Sequence, residues 1–154
     1  MSVITKKGML RTLTEMSVDF LKGKGELQET GLTILARYQG NIDDMINAEI
    51  AKLGIYVYVW PVRGKKVLKN VPGIYFSEWE WLAEIGEDPT TNQTGCSAEY
   101  VAEIIAGLMQ DWDPMCYGVN PLYLPDDVIT DTEDRDYNGY FVKLKSSGGV
   151  PHLR

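Results

Sequence analysis

The sequence predicts an α+β fold: a mixed, mostly antiparallel sheet of four to five strands with helices packed mainly on one face, in a single domain over residues 1–154. Three observations carry this. Apolar residues switch between the three- and four-residue spacing of helices and the two-residue spacing of strands, in the order α-β-α-β-β-α-(β)-β. Glycine, asparagine or proline punctuates most changes of period. The 154 residues, 44% of them hydrophobic, supply one core and show neither an internal repeat nor an interdomain linker.

Met9, Leu13, Met16 and Phe20 form a helical stripe from Gly8 to Leu21, which Gly23 and Gly25 end. Leu32 to Tyr38 reads as a short strand bounded by Gly31 and Gly40. Asn41 is an N-cap with Asp43 and Asp44 in the first turn of a second helix; Ile42, Met45, Ile46, Ile50 and Leu53 keep helical spacing, and Gly54 stops it. Ile55 to Trp60 follows at once as a central strand, β-branched on one face and aromatic on the other. Strand, helix and strand with short connections predict a right-handed crossover and a parallel pair.

Pro61 to Pro72 reads as a polar, basic loop. From Ile74 to Glu84 a long antiparallel strand sets Tyr75, Trp79, Trp81 and Ala83 against Glu78, Glu80 and Glu84, giving one acidic face. Pro89 restricts Asp88 to extended conformations, so the strand must stop there. Ser97 caps a helix from Ala98 to Trp112, with Val101, Ile104, Ile105, Leu108, Met109 and Trp112 on its buried side. After a proline-punctuated connection from Pro114 to Pro125, Asp127 to Thr130 reads as a short strand and Tyr140 to Lys145 as the last one. Residues 146–154 read as a loose tail.

The segment Glu87-Asp88-Pro89-Thr90-Thr91-Asn92-Gln93-Thr94-Gly95-Cys96-Ser97, running into the Ala98 helix and closing at Trp112-Asp113-Pro114, resembles the tail terminator and tail-completion proteins of long-tailed bacteriophages and prophages. In that family a strand ends in an acidic-Asn-Pro turn. An Asn and a Thr-Gly follow, then an Ala/Val-rich helix that closes on Trp-x-Pro. Pro89, Asn92, Thr94, Gly95, Ala98, Val101, Ala102, Ile105, Leu108, Trp112 and Pro114 fall on that pattern, while Asp88 replaces the usual Asn and Cys96 departs from it. The likeness extends back through the Ile42 helix and the strands that follow, and is weakest before Gly31 and after Pro125. It implies a non-catalytic structural protein that caps the tail tube and joins tail to head, as a ring of usually six copies. Its partners would be itself, the tail tube protein and the head-completion protein, first in the host cytoplasm and then in the virion tail. By that analogy Tyr56, Tyr58 and Trp60 are interface candidates.

Composition narrows the alternatives. A net charge of −7 argues against a nucleic-acid or anionic-membrane surface, since both need clustered Lys and Arg. Lys22-Gly23-Lys24 and Arg63-Gly64-Lys65-Lys66 come nearest, in glycine-containing turns suited to solubility. Two cysteines are too few for a disulfide framework, and no segment approaches the roughly 20 apolar residues that span a bilayer.

Chemistry-bearing groups are sparse, and no cofactor is expected. His152 is the only histidine, with no nucleophile and carboxylate grouped around it. Cys96 has no base beside it and reads as a small turn residue rather than a nucleophile. The acidic turn Asp134 to Asn138, followed by Gly139, matches the first half of a calcium loop, but Lys145 stands where the bidentate Glu belongs. A small ligand- or calcium-binding domain using that turn is the alternative function.

Overall fold

In the computed structural model, which describes residues 6–70, 72–133 and 137–149, four α-helices and six strands follow one another along the chain. They are α1 (Met9–Lys22), α2 (Gly25–Gln28), β1 (Ile34–Ala36), α3 (Ile42–Leu53), β2 (Ile55–Val59), β3 (Arg63–Val67), β4 (Phe76–Glu87), α4 (Ala98–Met109), β5 (Ile129–Asp131) and β6 (Asn138–Ser147). The expected parallel pair forms: β1 lies beside β2, with Ile34 opposite Val57. Every other pairing is antiparallel, in the order β1-β2-β4-β6-β5, with β3 hydrogen-bonded to the first half of β4. This is the α+β single sheet read from the sequence.

The alternation in β2 decides which helix covers which face. Ile55, Val57 and Val59 join Trp79, Trp81, Ala83 and Ile85 of β4 in the main core, beneath Leu13, Val18 and Leu21 of α1 and Val101, Ala102 and Ile105 of α4. Tyr56 and Tyr58 point the other way, where Ile42, Met45, Ile46 and Ile50 of α3 close a smaller core with Leu35. Two of the three long helices therefore share a face, and the crossover helix takes the opposite one.

Four sequence expectations change. Arg63 to Val67 is a strand, not part of a loop, and raises the strand count to six. It has few β-formers, but its cations face β4 carboxylates: Arg63 is opposite Glu80 and Lys65 is opposite Glu78. The last helix ends at Met109 rather than Trp112, because Asp111 takes a left-handed backbone (φ 65°) that breaks the spiral. β1 is only three residues long and gives way to a short 3₁₀ turn at Arg37–Gln39.

The fourth change concerns the tail, which is anchored as far as Gly148. Ser146 is fully buried within β6. Its hydroxyl donates to the Asn120 carbonyl (2.6 Å) and accepts from the Asn120 amide (2.9 Å), and the Gly148 amide donates to the Ser77 carbonyl at 2.8 Å. Residues 150–154 with His152, and Asp134, Arg135 and Asp136 of the acidic turn, lie outside the described residues. No described helix is long and apolar enough to cross a membrane.

Candidate functional site

Part of the 87–114 pattern, from Asn92 to Ala98, meets at one joint, where β4 hands the chain to α4 against the end of α3. Its centre is Asn92. The Asn92 amide donates to Glu87 Oε2 (2.7 Å) and to the Cys96 carbonyl (2.7 Å), while its Oδ1 accepts from the Thr94 amide (3.0 Å) and the Thr94 hydroxyl (2.7 Å). All the hydrogen-bonding directions of one amide side chain are aimed inward at its own loop, and this is what makes the ten-residue connection from β4 to α4 rigid.

Glu87 is only 7% exposed, and its other oxygen accepts the amide of Ala98 at 3.0 Å. A buried carboxylate at the first turn of α4 satisfies an amide that would otherwise lack a partner, and its charge sits at the positive end of the helix dipole. Ser97 adds the cap read from the sequence, its hydroxyl accepting from Tyr100 N at 3.2 Å. Asp88 closes the preceding turn. The Thr90 hydroxyl (2.7 Å) and amide (3.0 Å) both donate to Asp88 Oδ1, and those bonds hold its carboxyl below the usual range.

The loop is docked as well as folded. Gln93 N donates to the Leu53 carbonyl (2.9 Å) and Asp88 N to the Gly54 carbonyl (2.8 Å). Gly54 ends α3 with φ +79°, and a Cβ there would lie 2.4 Å from Asn92 N and the Thr91 carbonyl carbon. Only glycine permits that approach.

At the far end of α4, Trp112 stacks on Phe20 of α1 (centroids 4.8 Å apart) and meets Trp81 edge-on (6.5 Å). Pro114 is buried, as are Ala98, Val101 and Ala102, whereas Pro89 and Gly95 are exposed turn positions, Gly95 with φ +75°. The pattern residues are therefore packing and turn residues that fix α4 on the sheet.

The aromatic interface candidates divide. Tyr56 and Tyr58 are buried beneath α3 within the protomer, at 5% and 3% exposure, so they are not free to meet another subunit. The Tyr56 ring lies across Gly86, and its hydroxyl donates to Glu84. Burial pushes the Tyr58 phenol up. Trp60 keeps accessible surface at the end of β2, with Nε1 donating to Glu84 Oε1 at 3.3 Å.

The acidic face expected of β4 is charge-paired. Glu80, 5% exposed, accepts from Lys65 Nζ at 2.6 Å with Arg63 4.0 Å away. Glu78 pairs with Lys145 at 3.4 Å, and this bond raises the Lys145 pKa. Glu78 and Glu80 are therefore paired rather than bare carboxylates on this face. Sequence reasoning missed the pairing because it assigned Arg63 to Lys66 to solubility; the two-residue spacing of cations at 63 and 65 against carboxylates at 78 and 80 was the available signal.

Among the described residues no cluster of three or more His, Cys, Asp or Glu is placed to hold a metal ion. Cys96 and Cys116 are free thiols. Burial raises the Cys116 thiol, whose sulfur lies 3.6 Å from the Pro114 carbonyl and 3.8 Å from Met16 Sδ. No protein-family model matches the sequence, and a comparison with curated proteins gives no significant match.

Proposed function

We propose that this protein is a structural component of a phage or prophage tail, a terminator-like subunit that caps the tail tube and joins it to the head. The observation that carries the reading is the joint at Asn92: three pattern residues, Asn92, Thr94 and Ala98, form one hydrogen-bonded unit with Glu87, and their loop docks on the end of α3, tying β4, α3 and α4 together. That is what a scaffold held in a fixed orientation requires of a connecting loop. A terminator must match the rotational symmetry of the tube it caps, and closed rings use two different patches on each subunit. An acidic chain resists closure when free, because like charges repel and salt screens the repulsion.

Light scattering across a concentration and salt series tests this. Monomers at low salt should shift towards rings as either variable rises, and the protein should bind purified tail tubes. A strict monomer that also fails to bind tubes would overturn the reading.

A further inference from the structure

Positive charge is not spread evenly over this acidic chain. Two adjoining depressions of about 320 Å³ and 430 Å³ share Leu10, Arg37 and Pro61, where the first turn of α1 faces the corner between β2 and β3. Thr14 holds that corner shut from behind: its buried hydroxyl accepts from Val62 N at 2.9 Å and donates to the Leu10 carbonyl at 2.7 Å. Leu10 is 41% exposed, and Trp60 and Pro61 extend the apolar floor.

Arg11, Arg37, Arg63 and Lys65 rim the floor. The carboxylates beside them are already shared, Glu15 between Lys7 and Arg11 and Glu80 between Arg63 and Lys65. Arg37 makes no side-chain hydrogen bond or ion pair among the described residues. The groove is thus apolar with surplus positive charge, on a chain whose net charge is −7.

The complementary surface lies towards the other edge of the same sheet. α1 packs on β1, one edge strand, whereas α4 spans β4, β6 and β5, the opposite edge. The outer side of α4 presents Tyr100, 53% exposed, between Glu99 and Glu103, both exposed, and the helix contains no Lys or Arg. Negative charge continues onto β5: after burial, the charges of Glu99 and Asp131 are what raise the nearby Tyr140 phenol.

We propose that this groove is the receiving half of a head-to-tail contact with a second copy of the chain, taking the neighbour's Tyr100 against Leu10, Trp60 and Pro61, and the neighbour's Glu99 and Glu103 among the arginines. The contact rests on the ring reading above and supplies its two patches. An aromatic ring on an apolar floor with ionic partners at the rim is the arrangement that gives protein interfaces both anchor and register. Because groove and knob lie on different parts of the subunit, one contact leaves a free groove and a free knob, and the chain of contacts continues until it closes.

Sedimentation velocity on the full chain at about 0.15 M salt tests it with two variants. The groove variant combines Leu10→Asp with Arg37→Glu, and the knob variant is Tyr100→Asp, which removes the anchor without offering the altered groove an opposite charge; all three positions are exposed, and unfolding midpoints check the fold. Each variant alone should need on the order of a hundredfold higher concentration than the parent to associate. Mixed in equal amounts, they should form one-to-one dimers and nothing larger, since the mixture holds one intact groove and one intact knob per pair.

Variants that assemble like the parent, or a mixture that stays monomeric, would overturn the contact while rings of the parent left the ring reading standing. A parent that stays monomeric throughout and ignores tail tubes would remove both. A single-stranded oligonucleotide bound by the parent and released by the groove variant would assign the groove to nucleic acid and overturn the self-contact.

Discussion

Asn92→Ala is the perturbation that most directly tests the joint between β4 and α4. The change deletes four hydrogen bonds made by one side chain, three to neutral groups of the loop and one to the carboxylate of Glu87. A neutral bond contributes about 1 kcal/mol net and one to a charged group about 1.5–3 kcal/mol. The simple total of roughly 4.5–6 kcal/mol is an upper figure, because the exposed parts of the loop regain water. Glu87, at 7% exposure, regains little and keeps only the Ala98 amide.

We therefore expect Asn92→Ala to cost about 3–4 kcal/mol, equivalent to a fall of about 10 °C in the unfolding midpoint for a domain of this size. Asn92→Asp is the informative companion: it is nearly isosteric, yet sets a second carboxylate at hydrogen-bond distance from Glu87. Its loss should match or exceed that of Asn92→Ala at pH 7 and shrink as the pH falls and the pair takes up a shared proton. Thermal unfolding by circular dichroism at pH 7 and about pH 5 measures both. A loss below about 1 kcal/mol for Asn92→Ala would refute the reasoning that this amide organises the loop.

Ser97→Ala should cost about 1 kcal/mol through loss of the bond to Tyr100 N, read in the same unfolding assay; an unchanged midpoint would contradict the cap. Gly54→Ala should cost roughly 3 kcal/mol or more, of which about 1–2 is the left-handed backbone and the rest the displaced 91–92 peptide, and a near-parental midpoint would deny that close approach. Asp88 and Asp127 have lowered pKa values, from hydrogen bonds with Thr90 and with Lys143 respectively. Their stabilisation is therefore complete above the unfolded value of about 3.9 and is lost as pH falls through the lower folded values. Midpoints between about pH 2 and pH 6 should fall less steeply for Asp88→Asn than for the parent, and equal slopes would remove Asp88 from the acid response.

Much of this architecture is legible locally. Asn41, Ser97 and Gly54 mark helix ends by side-chain or backbone chemistry acting within a few residues, and the alternation of Ile55 to Trp60 sets the two faces of β2. What escaped depends on partners distant in sequence. β3 has weak β propensity and exists because Glu78 and Glu80 wait across the ladder; Ser146 is buried because the 118–123 connection folds back along β6. Tyr56 and Tyr58 were legible as an aromatic face, but only the crossover decides that α3 covers it. The groove at Arg37 was hidden for the same reason, since it draws its cations from α1, the turn after β1, and β3.

These misses share a cause that bears on assembly. The cations have two distinct roles once folded: Lys65 and Lys145 neutralise carboxylates on the open half of the sheet, whereas Arg37 stands exposed beside an apolar floor with no ionic partner among the described residues. A sheet face whose charges are internally paired has little drive to bind anything, because the desolvation cost of burying it is not offset by new pairs. A surplus cation beside exposed Leu10 and partly buried Trp60 is the opposite case, losing little in the free protein and gaining a partner in a contact. Net charge alone would keep copies of this chain apart; the uneven placement of its cations is what gives one acidic subunit a place to receive another.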